Sequence, residues 1–295
     1  MPEFSYLACP SATRETLERH GLATKKALGQ NFLVNDAIIG KICALSEVGP
    51  EDSVLEVGPG IGTLTVALAA RAGHVVSVER DADLPAVLAE TCADFDNFRL
   101  ISKDALELDQ ADLDGIPAPT KFISNLPYAV AATLVLDYFQ RFDSLESCTV
   151  MVQKEVADRM MASKGTKDYG AYTVKLNLIA RPAGRFPVGP GNFFPPPRVE
   201  SAVIRLNRRD AVEADITPAL MQASCLAADA AFATRRKTIA NSMKTYFAGR
   251  GAGGAFMAEH VPDILERAGI DPRRRGESLD LEEFVDLGCA LLETR

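Results

Sequence analysis

The chain has 295 residues, 47% of them hydrophobic and 24% charged, with a formal net charge of −8. That length allows one or two domains with a sizeable core. The acidic balance excludes a uniformly basic nucleic-acid binder, so any such contact must rest on local patches.

Cys9, Cys43, Cys92, Cys148, Cys225 and Cys289 are scattered without a C-x-x-C pair, and His20, His74 and His260 are isolated. The pattern reads as reduced thiols and argues against a disulfide frame or a metal cluster. Met1 to Pro10 has no basic n-region or long apolar core, and no run of about 18 apolar residues occurs. A cytoplasmic chain without signal peptide or membrane span is expected.

Residues 11–28 form a basic, partly helical lead carrying Arg14, Arg19, Lys25 and Lys26. Gly29-Gln30-Asn31-Phe32-Leu33 follows. A glycine, two amides and two apolar residues suit a loop that closes over a ligand, and equally a plain helix-entry loop. Asn35 or Asp36 predicts the cap of a helix over Ala37–Glu47, ended by Gly49-Pro50.

The stretch Val54-Leu55-Glu56-Val57-Gly58-Pro59-Gly60-Ile61-Gly62-Thr63-Leu64-Thr65 predicts a buried parallel strand, a glycine turn and a helix capped by Thr63. Its spacing is G-x-G-x-G. The dinucleotide fingerprint wants a third glycine where Thr63 stands, which argues against a nicotinamide or flavin enzyme. Glu56 beside the glycines repels an anion. It suits a positively charged ligand such as S-adenosylmethionine, with its sulfonium and amino groups.

His74–Glu79 predicts a second strand ending in an acid about 20 residues past the glycines, where doubly wound folds take ribose hydroxyls. Asp81 and Asp83 read as solvated charges opening the next helix. Phe98–Ser102 predicts a third strand with Asp104 just beyond it, able to accept from an adenine amine. Lys121–Ser124 predicts a fourth, leading into Asn125-Leu126-Pro127-Tyr128. An exocyclic adenine amine is a weak nucleophile because its lone pair is delocalised into the ring. Acceptors at the Asn125 amide and the Leu126 carbonyl, held outward by Pro127, favour its pyramidal form. Tyr128 can stack on the base.

A helix over Ala131–Phe142, a strand over Cys148–Val152 and a helix from Lys154 follow. Tyr172, Val174, Leu176 and Leu178 alternate, which by period says strand, although a buried helix stays open. In Asn192-Phe193-Phe194-Pro195-Pro196-Pro197 the prolines make a stiff strut that can present Phe193 to a pocket, and Ser201–Leu206 is a closing strand. From about Asn207 the pattern turns helical. Residues 207–295 hold 12 Lys and Arg against 14 Asp and Glu. Those cations are clumped, at Arg235-Arg236-Lys237 and at Arg273-Arg274-Arg275, as phosphate contacts would be.

Taken together, Gly29–Leu33, Glu56–Thr65, Glu79, Asp104, Asn125–Tyr128, Phe193–Leu206 and Phe232–Lys237 resemble the ribosomal RNA adenine dimethylases over nearly the whole chain. The resemblance implies an α/β fold: a Rossmann-like S-adenosylmethionine-dependent methyltransferase sheet over 1–206 with a small all-helical RNA-binding domain over 207–295. It implies a helix, not a strand, around Tyr172. It implies that Asn31, Leu33, Gly58, Glu79, Asp104 and Asn125 contact S-adenosylmethionine, and that Asn125, Tyr128 and Phe193 frame the target adenine. Lys25, Lys26, Arg235, Arg236 and Lys237 would meet RNA. No metal is called for, and S-adenosylhomocysteine would be the product. The expected activity is N6,N6-dimethylation of two adjacent adenosines in a hairpin loop near the 3' end of small-subunit rRNA, by a monomer acting on an immature particle. The alternatives are a large-subunit rRNA methyltransferase of the antibiotic-resistance type, an rRNA-binding assembly factor and a DNA adenine methyltransferase. The acidic charge departs from the family's usual basic character.

Overall fold

The computed structural model describes residues 2–24, 30–209 and 216–294. Lys25, Lys26 and Gly29, named above, lie outside the described residues. The chain divides into two compact units: Met1–Ala157 with Pro182–Arg208, and Asp158–Arg181 with Arg209–Arg295. This corrects the division at 206/207, because Asp158–Arg181 groups with the C-terminal helices. Its helix at 171–179 is largely buried and apolar, and that burial is satisfied among helices.

Helix α1 (Pro10–Arg19) opens the first unit, followed by the short strand β1 (Phe32–Leu33) and α2 (Asp36–Ser46). Asn35 caps α2 by accepting from the Ala37 N–H at 3.0 Å. Lys121 closes the other end of α2, donating to the carbonyls of Ser46 (3.1 Å) and Glu47 (2.6 Å) while pairing with Asp52. Then come β2 (Ser53–Val57), α3 (Thr63–Ala69), β3 (His74–Glu79), α4 (Pro85–Thr91), β4 (Phe98–Ser102), β5 (Lys121–Asn125), α5 (Ala131–Arg141) and β6 (Ser147–Gln153). Helix α6 (Lys154–Met160) and helix α7 (Ala171–Ile179) precede β7 (Ala180–Val188), β8 (Phe193–Phe194) and β9 (Ser201–Arg208).

The main sheet runs β4-β3-β2-β5-β6-β9-β7. Strands β2 to β6 pair parallel, and β9 lies antiparallel to β6. The chain leaves β2 toward β3 and β4, then returns to β2's other side at β5. That reversal opens a crevice at the carboxyl ends of the strands, where such sheets bind ligands. The runs in β2, β3, β5 and β6 are buried end to end or nearly so, which is why they read as short, mainly apolar runs. Ile39, Ile42, Leu64 and Leu68 from α2 and α3 pack with Val54, Val75, Ile123 and Met151 from the sheet. Strand β8 pairs antiparallel with β1, setting Phe193 opposite Leu33 and Phe194 opposite Phe32.

In the second unit, α8 (Pro218–Phe232), α9 (Ile239–Ala248), α10 (Gly251–Glu259), α11 (Val261–Arg267) and α12 (Leu281–Glu293) join α7. The helix at 171–179 corrects the strand expected from period. Both faces of that segment are largely buried, so alternation carried no information about which face met water.

Candidate active site

The glycine loop after β2 takes the shape its spacing requires. Gly58, Gly60 and Gly62 have φ of +67°, +61° and +91°, in the left-handed region that side chains rarely adopt. At Gly60 a Cβ would also come within 3.0 Å of the Phe32 ring. Gly62, not Thr63, is the N-cap of α3, and it makes no side-chain cap bond. Thr63 is instead the first helical residue. Its hydroxyl is buried beside the crevice with no hydrogen-bond partner.

A cavity of about 530 Å³ fills the crevice at the ends of β2, β3 and β5 and just beyond β4, within the range for cofactor sites. It gathers Asn31 and Leu33 from β1 and its approach, the Glu56–Gly60 turn, Glu79, Asp104 and the Asn125–Tyr128 tetrapeptide. So Asn31, Leu33, Gly58, Glu79, Asp104, Asn125 and Tyr128, far apart in sequence, meet in one wall.

Phe193 does not. Its side chain is 4% exposed and packs with Leu33, Ile38 and Ile39 in the core, behind the lining that its strand partner Leu33 provides. Of the residues expected to frame the base, Phe193 is thus the one the structure does not bring to the cavity wall. An apolar ring next to a forming core is buried rather than displayed.

Three acids face the cavity, each in a different setting. Glu56 is buried, and one of its carboxylate oxygens accepts from the hydroxyls of Thr65 (2.8 Å) and Ser77 (2.7 Å). Burial pushes its pKa up to about 7 despite those two bonds. Glu79 is also raised by burial, opposed by the N–H groups of Asp81, Arg80 and Gly60. Asp104 accepts from the Leu106 N–H at 3.0 Å and pairs with Arg80 at 3.2 Å. Asp81, expected in solvent, is buried: it accepts from the Gln30 amide at 2.8 Å and from the Asp83 N–H at 3.1 Å.

Asn125 donates through Nδ2 to the Asn31 carbonyl at 3.4 Å, which leaves the amide's acceptor oxygen out of that bond. The Leu126 N–H is spent on the Met151 carbonyl (3.1 Å). The Tyr128 hydroxyl bonds the Ser201 hydroxyl at 2.7 Å.

Several contributors were not read from the sequence. Ser77 offered a signal, as the one hydroxyl in a run of valines, and the register sets it opposite Glu56. Arg80, Ser124, which donates to the Val57 carbonyl, and Ser201 offered none that local pattern could separate from ordinary surface or strand residues.

In the second unit, Arg235, Arg236 and Lys237 are exposed in the turn before α9. Arg235 nevertheless donates to the carbonyls of Lys167 (2.6 Å) and Tyr169 (3.0 Å). Arg273 pairs with Asp271, and Arg274 holds Glu283 and the Ser278 carbonyl. Among the described residues no helix is long and apolar enough to cross a membrane, and no group of three or more His, Cys, Asp or Glu could hold a metal ion.

A sheet of this order, with a glycine turn after its central strand and carboxylates beyond the neighbouring strands, is the fold of the S-adenosylmethionine-dependent methyltransferases. Among solved structures the chain is similar to a dimethyladenosine transferase from Plasmodium falciparum, with a TM-score of 0.75, 22% identity and 89% and 98% of the two chains covered. It is also similar to the 23S rRNA methyltransferase ErmE, with a TM-score of 0.65, 27% identity and 88% and 99% covered. Curated relatives include proteins named ribosomal RNA small subunit methyltransferase A from Geobacillus kaustophilus (39% identical, 97% of each chain covered) and Pelotomaculum thermopropionicum (40% identical, 97% and 98% covered). The family model for the ribosomal RNA adenine dimethylases matches residues 21–286, and the chain belongs to that family.

Proposed function

We propose that this enzyme transfers methyl groups from S-adenosylmethionine to N6 of two adjacent adenosines in a hairpin loop near the 3' end of small-subunit rRNA, within an immature particle. The single observation that carries the reading is the meeting of Asn125-Leu126-Pro127-Tyr128 with the glycine turn, Glu79 and Asp104 around one cavity. The small-subunit target follows the names of relatives 39% and 40% identical over 97% of this chain.

The residues fit a sulfonium nucleoside donor. The Thr63 hydroxyl has no protein partner, Gly58 and Gly60 let a ligand approach bare backbone, and the acids suit a cation. Glu79 would accept from ribose hydroxyls, Asp104 from the adenine amine, and Asn31 and Leu33 would cover the ligand. Bound there, S-adenosylmethionine supplies an electrophilic methyl group on sulfur and leaves as S-adenosylhomocysteine.

The chain's own contribution is alignment. The Asn125 oxygen and the Leu126 carbonyl accept the two hydrogens of the target amine and turn its lone pair out of the ring. The Tyr128 ring supports the base. Holding nucleophile and electrophile in line supplies most of the rate. The base must first leave its stack, so a hairpin loop is a cheaper substrate than a duplex. Lys25, Lys26, Arg236 and Lys237 would meet RNA phosphates, and the protein would act as a monomer.

Incubation of undermethylated small subunits with labelled S-adenosylmethionine, followed by mass spectrometry of the rRNA nucleosides, tests the reading. N6,N6-dimethyladenosine is expected. Label confined to large-subunit rRNA would transfer the assignment to the resistance-type enzymes, and absence of label from any rRNA would leave an assembly factor.

A further inference from the structure

Asn125-Leu126-Pro127-Tyr128 leaves one question open: what fixes the tyrosine. Tyr128 follows a proline after the end of β5 and lines the cavity, so its own backbone determines the ring only through two side-chain torsions. Its hydroxyl meets the hydroxyl of Ser201 at 2.7 Å. Ser201 is 1% exposed and is the first residue of β9, where it pairs in register with Gln153, another residue of the cavity wall. The proline strut of residues 195–197 therefore ends, four residues on, at a buried hydroxyl aimed at the tyrosine. Phe193, at its other end, is sealed in the core.

We propose that Ser201 is a positioning residue for methyl transfer: its hydroxyl anchors the Tyr128 phenol, so that Tyr128 acts on the target base through its ring face and not through its hydroxyl. The assignment rests on the reading of Tyr128 given above. Burial raises the Tyr128 phenol, so it stays protonated at neutral pH and the bond joins two neutral hydroxyls. A neutral, geometric role of this kind predicts no acid or base limb from Tyr128 in the pH–rate profile. It also reassigns the strut: its stiffness sets the entry of β9, and with it the position of the anchor.

The test is a double-mutant cycle on the full chain, read as single-turnover methyl transfer to undermethylated small subunits at saturating S-adenosylmethionine. Ser201→Ala and Tyr128→Phe should each slow transfer by about five- to tenfold, the range of one neutral hydrogen bond. The double variant should be no slower than either alone. Affinity for S-adenosylhomocysteine, measured by calorimetry, should stay within about twofold of the parent in all three, which separates lost positioning from a damaged fold. Ser201→Ala transferring at the parent rate while Tyr128→Phe is slow overturns the proposal. So do multiplicative losses in the double variant, which would mean the phenol acts on substrate directly. Tyr128→Ala at the parent rate would instead overturn the reading of Tyr128 itself.

Discussion

The cavity of the first unit and the basic turns of the second were both legible as clusters of polar residues, and they use their polarity in opposite ways. In the cavity, hydrogen-bonding capacity is left over: the Thr63 hydroxyl has no partner, and the Asn125 oxygen lies outside that amide's bond to Asn31. In the second unit much of the cationic capacity is consumed internally. Arg235 holds two carbonyls of the 163–170 segment, Arg273 holds Asp271, and Arg274 holds Glu283. A cluster of charges in sequence thus says little about function until its partners are known. A polar group left unpaired in a buried wall points to a ligand, because an unmade bond there is costly.

The largest effect that could break this contrast is at Asn125. Asn125→Ala should lower single-turnover transfer by about 10²- to 10³-fold, as removal of one preorganised polar group does, with little change in melting temperature. A variant that transfers normally would show the cavity's spare acceptor to be idle.

Next is Glu56. Folding holds its proton up to about 7, whereas the unfolded chain releases it near 4.5. Between those values the folded state binds more protons, so this group's stabilising contribution is full below about pH 4.5 and is lost as pH rises through about 7. Glu56→Gln should remove that decline and leave the variant more stable than the parent at pH 8, by an amount on the order of 3 kcal/mol. Denaturant unfolding at pH 5 and pH 8 measures it, and parallel curves for parent and variant would refute the burial argument.

Smaller effects separate the arginines of the second unit. Arg235→Ala should cost up to about 1 kcal/mol of stability, since it removes two bonds to carbonyls that water can only partly replace. Arg236→Ala and Lys237→Ala should leave the melting temperature alone. Each should weaken RNA binding a few-fold and reduce the salt slope by about one. Equal behaviour of all three in a salt titration would erase the distinction between anchoring and phosphate contact.

The parallel strands, the glycine turn and the acids at strand ends were readable because each is local. A strand buried on both faces is mainly apolar, a positive φ calls for glycine, and an acid facing the crevice stands at or just beyond its strand's end. Residues 171–179 were not readable by the same means, because a segment buried on both faces has no period to declare. Phe193 is ambiguous for a related reason: an aromatic beside a proline strut looks the same whether it ends in a pocket or a core. The amino-acid sequence alone therefore determined the strands, the turn and the tetrapeptide that line the cavity. Only tertiary structure decided which hydroxyl meets Tyr128, which arginines are already bonded and where the second unit begins. The Tyr128 and Arg235 bonds join residues more than sixty positions apart, and nothing in local spacing encodes which distant partner will be there.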